Sequence, residues 1–170
     1  MPFRPGDPDT SGLGPKATTD YFGPIPPQRC KVGDDCVVFT CDANYRSKIG
    51  IPPARARNVL GSWDADANLL TVVQFNLPAN AASLPYVNSL WQMQDEPFAG
   101  DAVNSYNDGD PAGGNKPGAF YELETSSPAA ELKPGGSIKH LHRTCHFAGA
   151  PEALNEVAAG LLGIDLRNVK

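Results

Sequence analysis

From Phe120 to Phe147 the chain reads FYELETSSPAAELKPGGSIKHLHRTCHF, two alternating stretches separated by Pro134-Gly135-Gly136. Alternation constrains the fold because successive side chains of a strand point to opposite faces. His140, His142, Thr144 and His146 then project one way and Leu141, Cys145 and Phe147 the other, a polar face over an apolar one. In the earlier stretch Phe120, Glu122 and Glu124 share one side, and Tyr121, Leu123 and Thr125 the other. The Pro-Gly-Gly turn can send the chain back into the sheet. The chain has three histidines. If the two strands are neighbours in one sheet, all three imidazoles can share a face with the glutamate pair, a setting for acid/base chemistry or for a metal.

The remaining chain also reads as β structure. Its 17 glycines and 17 prolines in 170 residues favour short strands joined by tight turns. Residues 1–35 are a Pro/Gly-rich lead-in that drapes over the rest, and residues 36–170 form a single domain. Cys36–Cys41 is expected to be the first strand, buried on both faces. Tyr45–Ile51 pairs nearby and stops at Pro52-Pro53. Leu60–Trp63 and Leu69–Leu77 flank Asp64–Asn68, whose Asp/Asn content suits a hairpin loop, and Leu69, Thr71, Val73, Phe75 and Leu77 face the core. Tyr86–Met93 reads as a central strand and Ala102–Tyr106 as a short one, while Pro111–Gly118 is a long loop of the kind that carries function. The one good helix is Pro151–Leu162, with Pro at its first turn, Glu152 near the positive end of the dipole, Gly163 at the stop, and Leu154, Val157, Ala158, Leu161 and Leu162 as an apolar stripe. The expected fold is mainly β, an antiparallel β-sandwich with one C-terminal helix.

A net charge of −5 without a Lys/Arg cluster argues against nucleic acid and anionic membranes as partners. No apolar run approaches the roughly 18 residues needed to span a bilayer. The N-terminus lacks the apolar region of a secretory signal, which predicts a cytoplasmic protein. Cys30, Cys36, Cys41 and Cys145 lack the paired spacing of structural zinc knuckles and read as mostly buried free thiols. Phosphoryl-transfer, dinucleotide and nucleophile-elbow motifs are absent from the sequence.

The segments YRSKIGI, LGSWDADANLLTVVQFNLP, PYVNSLWQMQDEPFAGDAVNSYNDG, the stretch from Gly118 to Phe147 and the terminal helix follow one another in an order that resembles the C-terminal half of an uncharacterised family with the galactose-mutarotase-like β-supersandwich fold. The resemblance implies a half-supersandwich and a carbohydrate-binding or carbohydrate-processing protein, with epimerase or lyase-like acid/base chemistry. In aldose mutarotases a glutamate acts as base and a histidine as acid, and Glu122 or Glu124 with His140 or His142 are the nearest counterparts by chemistry. Members of the family are about twice this length. A lone half would expose unpaired strand edges and an apolar sheet face, which a symmetric homodimer would cover.

Other readings stand beside this one. The polar face of a β-sandwich module without catalysis would also look like this, as would a truncated remnant. No cofactor is required by the sugar reading. A divalent metal enters through a third reading, in which His140 and His142 on one strand face, with His146 beyond, act as N-ligands. PGGSIKHLH resembles the metal-binding stretch of cupins, although the glutamate that follows their H-x-H is His146 here. Asn104, Tyr106, Asn107 and Asp108 offer hydrogen bonds suited to sugar hydroxyls, and Arg143, like Arg46, Arg55 and Arg57, could grip a uronate carboxylate or pair with the excess acids. Trp91, Tyr86, Tyr106 and Phe120 suit stacking on a sugar ring or packing in the core.

Overall fold

The computed structural model describes residues 1–109 and 119–169. The predicted loop Pro111–Gly118 lies outside the described residues. Within them the chain forms β1 (Cys30–Val32), β2 (Val37–Phe39), β3 (Ser47–Ile51), β4 (Val59–Asp64), β5 (Leu69–Phe75), β6 (Val103–Asn107), β7 (Tyr121–Thr125), β8 (His142–Ala148) and α1 (Pro151–Leu162). All strand pairs are antiparallel. They make a small β1-β2 sheet and two three-stranded sheets, β3-β6-β7 and β4-β5-β8. The expected hairpin joins β4 to β5: Asp64 Oδ1 accepts from Ala67 N at 2.9 Å, and Asn68 takes the left-handed backbone with φ 48°.

Alternation along the strands sorts the side chains into two cores. Between the large sheets lie Ile49, Ile51 and Val103 from one, and Leu60, Val73 and Phe75 from the other, closed by Phe3, Val37, Tyr86 and Ala102. On the back of the second sheet Val59, Leu70 and Val72 meet Leu154, Ala158 and Leu162 of α1. The layers are therefore sheet, sheet, helix, the predicted β-sandwich with its single C-terminal helix. Burial of Leu154 and of Leu162 contributes about 2 kcal/mol each, whereas Leu161 of the predicted stripe is exposed. The helix starts at Pro151 and stops where Gly163 turns left-handed with φ 70°, its N–H bonding Ala158 O and Ala159 O.

Several expectations change. Of the stretch Cys36–Cys41 only Val37–Phe39 is strand, and only Val37 is buried. In β5 both faces are covered, Val73 and Phe75 by the first sheet and Leu70 and Val72 by the helix, so the predicted one-faced strand is a central one. Tyr86–Met93 is not a strand: Tyr86 alone bridges Ala99, while Trp91 and Met93 are 84% and 98% exposed. Side-chain amides have captured that backbone, for Asn88 Oδ1 accepts from Leu90 N at 3.1 Å and Gln94 Nε2 donates to Asn88 O and Leu90 O.

The lead-in is fixed by Arg55, which is fully buried. Its guanidinium donates to Gly14 O, Arg4 O, Gly6 O and Ser11 Oγ, so a segment unable to form a ladder is tied down through its carbonyls. Arg57 Nη1 donates to Leu162 O at the end of α1. Buried Arg55 is not available to a uronate, whereas Arg57 is exposed.

Candidate functional site

The register of β3-β6-β7 places Lys48, Asn104, Tyr106, Glu122 and Glu124 on its outer face: Lys48 pairs with Tyr106, Tyr106 with Glu122, and Asn104 with Glu124. Lys48 is buried and its Nζ lies 3.0 Å from Glu124 Oε2. The other oxygen of that carboxylate, Oε1, is buried without a partner among the described residues. Asp108, just past β6, repeats the pattern: Oδ1 accepts from Tyr106 OH at 3.0 Å, and Oδ2 is buried without a partner among the described residues. A carboxylate oxygen left dry and unpaired is costly in a finished core and is ready to accept a donor from a ligand.

At the other end of this face the bridge between Thr18 and Gly50 lays the lead-in against β3. Tyr21 OH donates to Asp101 Oδ2 at 2.5 Å and accepts from Asn104 Nδ2 at 3.0 Å. This network needs Gly50, because a Cβ there would overlap the Asp101 carboxylate and the Asn104 amide. Burial pushes the Asp101 carboxyl above its usual range, against the opposing pull of the Tyr21 and Thr18 hydroxyls and Lys48. Burial, with the Asp101 charge second, also raises the Tyr21 phenol. Asp20, Tyr21, Phe22, Asn88, Gln92 and Asp101 are among the walls of a cavity of about 550 Å³. Such a volume accommodates a small ligand.

Aromatic rings border the same face. Tyr106 lies 5.7 Å from Phe120 and 6.1 Å from Phe22, centroid to centroid, and the Arg46 guanidinium sits 4.3 Å over Phe22 and 6.0 Å from Trp91. Phe22, Phe120 and Trp91 are exposed. Arg46 thus holds rings in place as well as supplying charge.

The histidines lie elsewhere, because β7 and β8 belong to different sheets. The residue of β7 that meets them is Thr125, of opposite parity to the glutamates. Its Oγ1 is 2.8 Å from both His140 Nε2 and His142 Nδ1. A hydroxyl has one proton, so it donates to one ring and accepts from the other. His140 precedes β8 rather than belonging to it. Burial and then the neighbouring His142 lower its pKa, and its Nδ1 is buried with no partner among the described residues. His146 Nδ1 pairs with Thr71 Oγ1 at 3.0 Å. Among the described residues no group of three or more His, Cys, Asp or Glu side chains is arranged to hold a metal ion. The expected His140, His142 and His146 ligand set is replaced by separate bonds to Thr125 and Thr71.

The expected catalytic set is therefore divided: Glu122 and Glu124 face outward from β7, and His140 and His142 meet its inner side. Of the expected binding residues, Asn104, Tyr106 and Asp108 join Glu124. Asn107 is fully buried and structural, accepting from Ala43 N and donating to Tyr45 O at 2.8 Å each. Arg143 is exposed on β8 and paired across to Gln74, on the opposite strand face from His142. Sequence reasoning passed over Lys48, Tyr21, Asp101 and Thr125. The alternation of Arg46, just before β3, with Lys48 inside it carried a signal for Lys48, whereas Tyr21 and Asp101 come from irregular segments without a period. All four cysteines are free and half-buried, and burial pushes the Cys41 thiol up to about 11.

No helix among the described residues is long and apolar enough to cross a membrane. No curated protein and no solved structure shows significant similarity to the chain. The chain belongs to the family of unknown function DUF6786, whose family model matches residues 1–170.

Proposed function

We propose that this member of a family of unknown function binds a carbohydrate on the outer face of β3-β6-β7, as a half-supersandwich of the mutarotase-like type. The observation that carries this reading is the pair of carboxylates, Glu124 and Asp108, each held through one oxygen by Lys48 or Tyr106 while the other oxygen is buried without a partner among the described residues. Sugar hydroxyls are donors of the kind such oxygens lack, and the exposed rings of Phe22, Phe120 and Trp91 offer faces for the C–H side of a pyranose. Asp20, Asp101, Asp108, Glu122 and Glu124 outnumber Lys48 and Arg46 here, which favours a neutral sugar over a uronate. Any acid/base step belongs to Asp101 and Glu124, because the separation of Glu122 and Glu124 from His140 and His142 argues against a glutamate-histidine pair. That separation favours binding without turnover as the second reading.

Saturation-transfer NMR against a panel of neutral hexoses and their oligomers tests the proposal. At least one sugar should receive transfer from the aromatic protons, and Glu124→Gln with Asp108→Asn should abolish it while the chain stays folded. Anomer-exchange spectra of the bound sugar then separate processing from binding. A panel without any transfer at millimolar sugar, or transfer unchanged in the double variant, would overturn the reading.

A further inference from the structure

Antiparallel register decides which backbone groups of a strand face its neighbour, and the direction alternates residue by residue. In β2 the bonds to β1 fall at Cys36 and Thr40, where Gly33 N donates to Cys36 O and Thr40 N to Arg29 O. Val37, Phe39 and Cys41 therefore turn their N–H and C=O groups to the opposite edge. Val37 is satisfied there, donating to Met1 O at 2.9 Å and accepting from Met1 N at 2.8 Å. Phe39 and Cys41 have no backbone partner on that edge among the described residues. In β4, Phe75 N donates to Asn58 O, and the register from there gives Leu60 and Ser62 to β5. Gly61 and Trp63 face away from β5, and they too lack a backbone partner among the described residues.

Residues 1–4 lie between the β2 edge and the segment that leads into β4. Pro2 bridges Cys36, Phe3 bridges Ala56, and Arg4 N donates to Arg55 O at 2.8 Å. A cavity of about 440 Å³ adjoins Met1, and Phe39, Cys41, Gly61 and Trp63 are all among its walls. Leu70, Leu123, Leu162 and Leu166 give it apolar walls, and exposed Asp64 and Asp66 give it an acidic rim, while the third aspartate of the lining, Asp42, is paired with Arg29.

We propose that this cleft binds an extended strand of a separate polypeptide, apolar at alternate residues and basic at its ends. The strand continues the ladder that residues 1–4 begin, pairing with Phe39 and Cys41 on one edge and Gly61 and Trp63 on the other. Unpaired strand edges are templates for an added strand, and main-chain bonds supply affinity while alternate side chains read the walls. The acidic rim selects basic ends. This site is separate from the carbohydrate face and does not depend on it.

The probe is a synthetic peptide of about seven residues, the length of an ordinary strand, with valine and threonine alternating and lysine at each end. Its control carries N-methyl groups at alternate residues, which remove the main-chain bonds and keep the side chains. Amide hydrogen exchange of the full chain is followed by NMR. The Phe39, Cys41, Gly61 and Trp63 amides should exchange rapidly in the free chain and slow by about tenfold or more at saturating peptide, with no slowing by the control. No slowing at millimolar peptide, or equal slowing by the control, would overturn the proposal. So would protection in the chain alone that grows with its concentration, since the occupant would then be a second copy.

Discussion

The outer faces of the two three-stranded sheets follow the same alternation and end in opposite roles. On β4-β5-β8 the outward residues Val59, Leu70 and Val72 are sealed by Leu154, Ala158 and Leu162 of α1. On β3-β6-β7 the outward residues are Lys48, Asn104, Tyr106, Glu122 and Glu124, bordered among the described residues by irregular segments and exposed rings. On the first of these faces Gln74 and Arg143 stay exposed, whereas a covering helix turns the outward positions beneath it into packing positions. Without one, neighbours can orient polar side chains and still leave an oxygen for something else to bond, as Lys48 does for Glu124 and Tyr106 for Asp108. The cover, more than the strands, separates scaffold from candidate site.

The largest test contrasts one residue from each region. Leu70 is fully buried, and Leu70→Ala should destabilise the chain by about 2–5 kcal/mol through lost burial and a residual cavity. Trp91, 84% exposed, should change stability by less than about 0.5 kcal/mol when replaced by Ala. Urea unfolding of both variants measures the contrast. A large loss for Trp91→Ala would mean that the rim of the open face is part of the scaffold.

A smaller effect is expected at the ion pair. Lys48→Met leaves the Glu124 carboxylate, 32% exposed, without its cation, and should cost about 1–3 kcal/mol. Adding Glu124→Leu should recover most of this, because the penalty is an uncompensated charge rather than a lost attraction. If the double variant remained as unstable as the single one, Lys48 would matter through packing, and the open face would resemble the covered one.

The helix-covered region was the more legible of the two in sequence, and the reason is periodicity. The stripe Leu154, Ala158, Leu162 and the stop at Gly163 identify α1 from neighbouring residues alone, as the Asp/Asn turn before Leu69 identifies the β4–β5 hairpin. Parity also placed Glu122 and Glu124 together on β7, and His142 and His146 together on β8. It could not say which sheet each strand joins. That depends on the pairing of β7 with β6 and of β8 with β5, contacts between residues far apart in the chain. Once β7 and β8 join different sheets, Thr125 meets the imidazoles. Tyr86–Met93 failed for a different reason, since its strand-like pattern was overridden by the Asn88 and Gln94 amides.

Asp101 tests whether the open face holds a group at odds with stability. Its carboxyl is raised above 3.8 chiefly by burial. For a raised carboxyl the folded state binds the proton more readily, so this contribution to stability is full below 3.8 and is lost as pH rises through the folded value. Asp101→Asn keeps an acceptor for Tyr21 and removes the titration. The variant should therefore gain stability relative to the parent as pH rises above 3.8, and lose sugar binding if Asp101 contacts the ligand. Thermal melts across a pH series check the first outcome, and saturation transfer the second. A parent-variant difference constant with pH would show that burial does not penalise the Asp101 charge.

The smallest effect belongs to the inner side of β7, where Thr125 joins His140 and His142 across the two sheets. Burial and the adjacent His142 lower the His140 pKa below 6.5. A lowered histidine works in the opposite sense from Asp101: the unfolded chain takes the proton first, so stability is full above 6.5 and falls as pH drops from 6.5 through the folded value. Protonating both rings would also leave the single Thr125 hydroxyl facing donors on both sides. His140→Gln keeps a side chain able to bond Thr125 and removes this titration. Its stability should match the parent within about 1 kcal/mol at neutral pH, the scale of one hydrogen bond, and should exceed the parent progressively as pH falls below 6.5. Denaturant midpoints across the pH series read the difference, and the His140 ring resonances should titrate below 6.5. A ring that titrates at or above that value would make this contact a solvated surface pair, leaving the outer face as the side of β7 where burial acts on charge.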